Sequence, residues 1–147
     1  MLTQIPRGPL VLGLAGLIPF LWGAATLFWP DLQPWATSRL GARFIGPYVQ
    51  IFYGTIILAF MSGVLWGFAT KSEGWVGYAF SVVPALWAFF MVGGGPVSSA
   101  TNLAVGFAGL LLLDWYFAQN GLAPPWWMQL RGLLTLIVLL TLLPVIL

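Results

Sequence analysis

Residues 97–147 read VSSATNLAVGFAGLLLLDWYFAQNGLAPPWWMQLRGLLTLIVLLTLLPVIL. Two apolar runs, each about the 20 residues a transmembrane helix needs, flank the turn NGLAPP. A turn that short makes the two runs antiparallel neighbours. One acid, Asp114, and one base, Arg131, lie within them. At about 1.5 Å per residue both sit roughly 6–8 Å inside the span ends, so they come to similar depth. An unpaired charge at that depth costs a few kcal/mol, and an aspartate can accept from an arginine bidentately. The reading is a structural ion pair, Asp114–Arg131, pinning one helix to the next. A proton-relay carboxylate is the competing reading. It lacks a second carboxylate or histidine to receive the proton.

The same apolar texture runs through the whole chain. Of 147 residues, 61% are hydrophobic and 5% charged, against about a quarter charged in soluble domains. Strand-type alternation is absent, which excludes the barrel class. The expected architecture is therefore all-α: a single polytopic domain, 1–147, of five transmembrane helices. The spans fall at about 9–28, 48–70, 75–92, 97–119 and 127–147, joined by Gly- and Pro-marked turns. The lead MLTQIPRG, with no small-residue cleavage site after the first run, reads as preceding a retained span and not a removed signal peptide.

Composition also bounds the chemistry. There is no histidine, no cysteine and a total of three acidic residues. The usual metal ligands, thiolate clusters, disulfides and near-neutral acid–base groups are missing. No catalytic residue, cofactor or metal is expected, and the chain reads as a non-enzyme. A net charge of +2 gives no reason to expect a nucleic-acid partner.

Between the first two spans, residues 29–47 form the longest polar stretch. Leu32, Ala36, Leu40 and Phe44 recur every four residues, with Arg39 and Arg43 beside them. This suits a short interfacial helix whose arginines reach lipid headgroups. Arg7, Lys71, Arg131 and the amino terminus fall on one side, Arg39 and Arg43 on the other, which favours a cytoplasmic N-terminus. Trp29, Trp35, Trp75, Trp115, Trp126 and Trp127 stand near span ends and read as an aromatic belt.

Helices in lipid associate by close backbone approach and polar contacts. Ala59, Gly63 and Gly67 form one small-residue face, and Asn102, Gly106 and Gly109 another. Both are expected to pack helices within the bundle or against a neighbouring subunit. Pro19, Pro84 and Pro144 fall inside spans and free backbone carbonyls there. Such breaks build transporter sites when polar groups gather beside them. Ser81, Ser98, Thr101 and Asn102 are the residues available for that.

Four blocks occur in order: LGLAGLIPF (12–20), YGTIILAFMSGVLWG (53–67), YAFSVVPALWAF (78–89) and LLLLDWY…PPWWMQLRGLLT (110–135). Together they resemble a bacterial family of unknown function related to eukaryotic transmembrane protein 69. The resemblance spans nearly the whole chain and supplies no catalytic residues. It implies a small multi-span protein of energy-transducing membranes, associated with mitochondria in eukaryotes. Its acid and base match at Asp114 and Arg131. Family members can carry a basic residue before the WG of the second block, where this chain has Leu65. The expected function is a non-catalytic accessory or assembly subunit of a larger bacterial inner-membrane complex, respiratory or photosynthetic. Its partners would be other integral membrane subunits and phospholipid. The alternatives are a small transporter or channel, or a lipid- or quinone-binding membrane protein.

Overall fold

A computed structural model describes residues 5–147; the first four residues of the polar lead, with the amino terminus counted above in the charge balance, lie outside it. Among the described residues every regular element is helical. The first span comprises α1 (Arg7–Ala15) and α2 (Ile18–Phe28), followed by α3 (Leu32–Leu40) and a 3-10 turn (Ala42–Phe44). Next come α4 (Tyr48–Ala69), α5 (Val76–Ser81), α6 (Val83–Met91), α7 (Pro96–Gln119) and α8 (Trp127–Ile146). Arg7–Phe28, α4, α7 and α8 are each long and apolar enough to cross a membrane. Only helices satisfy their own backbone in hydrocarbon, which is why these runs fold as they do. The chain is a polytopic helical membrane protein. The third expected span is different: Val76–Met91 is a shorter apolar helix, broken at Val82.

Both breaks have a local cause. Pro19 and Pro84 each sit in the first turn of the helix that resumes after the break, where a missing N–H does no harm. Before Pro19 the chain tightens, Leu17 N donating to Leu14 O at 3.1 Å. After Pro84 the Ala85 N–H turns to α4 and donates to Ser62 Oγ at 2.8 Å. Pro144 lies inside α8 without ending it.

α4 is the centre of the bundle, packing against α2, α5, α6 and α7. Its inward face carries Gly54, Leu58, Met61, Leu65 and Ala69. Close approach is set by Gly54 against Leu103 and by Gly106 against Leu58 and Trp87. A Cβ at Gly106 would lie 2.8 Å from the Trp87 ring. The outer surface is apolar: Phe60, Phe89, Phe90 and Leu112 are all exposed, as lipid-facing side chains are.

The polar stretch after the first span is folded back onto α2. Thr26 Oγ1 accepts from Gly46 N at 2.8 Å and Trp22 Nε1 donates to Phe44 O at 2.7 Å. The expected stripe through Leu32, Ala36, Leu40 and Phe44 does not form one helical face. Gly41, with φ of 99°, ends α3, a conformation that side-chain-bearing residues rarely adopt. Ala36 is buried, while Leu40 and Phe44 are about half exposed.

Candidate functional site

Asp114 stands on the buried face of α7 and is 0% exposed. What meets it comes from α8, where Trp127 and Arg131 are four residues apart and so share a face. The turn that delivers them is tightly specified. Gly121 (φ 71°) follows α7, with Gly121 N donating to Ala118 O and Leu122 N to Phe117 O. This 6→1, 5→2 pattern is a Schellman cap. Leu122 packs on the core cluster that holds Phe117, and its carbonyl accepts from Lys71 Nζ at 3.2 Å.

The carboxylate divides its oxygens. Arg131 Nε donates to Oδ2 at 2.9 Å, and Trp127 Nε1 donates to Oδ1 at 2.9 Å. The sequence suggested a bidentate arginine fork; instead Trp127 takes the second oxygen and Arg131 approaches through Nε. Trp127 is therefore a half-buried ligand of the ion pair and not a belt anchor. Trp29, Trp35, Trp75 and Trp115 are all more than half exposed. The role of Trp127 was readable, since it precedes Arg131 by one turn.

Arg131 also faces a cavity of about 570 Å³ between the first span, α4 and α8, with Phe107 of α7 at its back. Its origin is the break at Gly16–Leu17. α2 packs on α4 and α8, whereas α1 touches α8 and makes no comparable contact with α4. The gap between α1 and α4 is walled by apolar side chains such as Leu12, Ile57, Phe60 and Leu134. Arg131 and Thr135, one turn apart on α8, also line it; they are 5% and 2% exposed. Arg131 Nη2 and Thr135 Oγ1 have no hydrogen-bond partner among the described residues. Buried polar groups are normally satisfied, and these two unsatisfied donors belong to residues that line the same cavity. Among the described residues no three His, Cys, Asp or Glu side chains converge.

The other sequence-selected residues are placed as follows. Arg39 and Arg43 are exposed. The Arg43 guanidinium lies 5.3 Å from the Phe52 ring and 5.7 Å from the Phe44 ring. It borders a second apolar cavity of about 450 Å³ with Trp22, Trp35 and Tyr53. Ala59, Gly63 and Gly67 do not pack inside the bundle formed by the described residues. All three are exposed, and nothing lies within 4 Å of a Cβ built at Gly63 or Gly67. The inner face of α4 is the one that carries Leu58 and Leu65. The second small-residue face splits. Gly106 is buried against Trp87 and Leu58, while Gly109 has open space. Asn102 is engaged with α6, Nδ2 donating to Met91 O at 2.9 Å and its carbonyl accepting from Trp87 Nε1 at 2.7 Å.

Comparison with known proteins adds a family. The sequence pattern of a family described as "Protein of unknown function (DUF3429)" matches residues 5–147. The chain belongs to that family. It is also 29% identical over 153 residues to Transmembrane protein 69 of Xenopus tropicalis, covering 96% of this chain and 54% of the relative. It thus spans about half the length of that curated relative. No solved structure matches. The family match takes in the whole site, from α1 through Asp114, Trp127, Arg131 and Thr135.

Proposed function

We propose that this family member is a non-catalytic accessory or assembly subunit of a larger bacterial inner-membrane complex, with a respiratory or photosynthetic complex as first candidate. The observation that carries the reading is the outward small-residue face of α4, Ala59–Gly63–Gly67, which none of the other described residues covers. Four-residue spacing of small side chains is what lets a second transmembrane helix approach closely. The proposed occupant is a helix of another subunit. Val76–Met91 serves as the fifth crossing, the N-terminus is cytoplasmic, and Arg39 and Arg43 meet phospholipid headgroups on the opposite side.

The polar residues available for a transport path are spent locally, which favours a subunit over a transporter. Ser81 Oγ donates to Tyr78 O, Thr101 Oγ1 to Val97 O, and Asn102 bonds the third span. None of these, nor Ser98, lines either cavity described above.

The test is a mild-detergent pull-down of the chromosomally tagged protein, read by native gel and mass spectrometry. Stoichiometric co-purification of other integral membrane subunits is expected, and Gly63→Leu should abolish it at unchanged abundance. Recovery of the wild type alone, as monomer or homodimer, would sink the reading.

A further inference from the structure

The cavity between α1, α4 and α8 is a different feature from the α4 face, and it stands independently of the subunit reading. We propose that it is a binding site for a neutral lipid whose head carries a carbonyl oxygen, with that oxygen accepting from Arg131 Nη2 and Thr135 Oγ1.

Four observations converge on that class. The volume, about 570 Å³, lies in the range of small-molecule sites, roughly 300–1,000 Å³, and the lining follows their pattern of apolar walls with a few placed polar groups. The two orphaned atoms, Arg131 Nη2 and Thr135 Oγ1, sit one turn apart and can donate together, so they ask for an acceptor.

Charge then narrows the head. Arg131 is already balanced by Asp114 at 2.9 Å. A carboxylate or phosphate would leave the three groups with a net negative charge away from water, which is expensive in hydrocarbon. A neutral carbonyl leaves the sum at zero.

Depth excludes a large headgroup as well. Arg131 and Thr135 lie four and eight residues beyond Trp127, the start of α8, about 6 and 12 Å along the helix. A phosphate-bearing head belongs at the membrane surface and would not follow a carbonyl that far inward. The apolar tail has its route through the gap between α1 and α4, over Leu12, Ile57 and Phe60. Two lipid sources share this chemistry: an isoprenoid quinone, with ring carbonyls, and a diacylglycerol, with ester carbonyls.

The experiment is equilibrium binding of radiolabelled decylubiquinone, dioleoylglycerol and oleate to the purified full chain in detergent micelles. Saturable one-to-one binding of a neutral probe is expected, and which of the two binds identifies the source. Thr135→Val, which removes a hydroxyl and keeps the shape, should weaken binding about fivefold, the share of one ordinary hydrogen bond. Ile57→Trp, which fills the cavity, should eliminate it. Thermal unfolding in the same detergent separates either result from misfolding. Preferential binding of oleate, failure of every probe to saturate, or neutral-probe binding that survives both substitutions would overturn the proposal.

Discussion

Two seams of this bundle behave in opposite ways. α7 and α8 lie closely packed along their length and are joined by a buried ion pair and an indole donor. α1 and α4, equally apolar, part from one another and leave a cavity. Leucines and phenylalanines line both, so hydrophobicity does not separate them. Lipid tails solvate such surfaces as well as protein does. What closes a seam is a polar cross-link or a backbone approach through glycine. The α7–α8 seam has the first and the α4–α7 seam the second, at Gly54 and Gly106. The α1–α4 seam has neither.

The strongest way to break that contrast is Asp114→Ala. It leaves the Arg131 guanidinium buried without a counter-charge, at a cost of about 3–5 kcal/mol. Thermal unfolding in detergent should show a collapse, with Asp114→Asn falling between the two. The matching truncation in the open seam, Leu12→Ala, should stay within about 0.5 kcal/mol of wild type. Equal losses at the two sites would remove the distinction. Next in size is Gly106→Leu, which drives a side chain into Trp87 and Leu58 and should cost about 1–3 kcal/mol. The same substitution at Gly63 should leave the isolated chain unchanged. Smallest is Ser62→Ala. It removes the acceptor of the Ala85 N–H at the break between α5 and α6, worth about 1 kcal/mol. If unfolding is unaffected, Ser62 is not what holds that break.

The sequence carried the parts of this fold that depend on local or near-local facts. Run length located four helices long enough to cross a membrane and one shorter apolar helix, with boundaries within a residue or two of the apolar runs. Pro84 marked the break at Val82. The short turn 120–126 forced Asp114 and Arg131 to similar depth, so their meeting was readable. Trp127 was missed because a tryptophan near a span end defaults to an interface anchor, although its spacing to Arg131 placed both on one face. The small-residue faces were legible as faces, but spacing says nothing about which neighbour a face meets. Ala59, Gly63 and Gly67 turned outward for that reason. The stripe ending at Phe44 failed at Gly41, whose backbone conformation interrupts the helical period. The cavity could not be read at all. It depends on how far α1 diverges from α4, which is a property of the packed bundle and not of any segment.

The ion pair carries a consequence for how the protein is made. Asp114 and Arg131 are 17 positions apart, in consecutive hydrophobic segments joined by a single capped turn. A nascent α7 entering the bilayer alone would bring a bare carboxylate with it, at a cost of a few kcal/mol. Entering together with α8, it meets its counter-charge during the same passage. α7 and α8 are thus suited to leave the insertion machinery as one electrically neutral hairpin, and synthesis halted within the turn would strand α7 with its charge exposed to lipid.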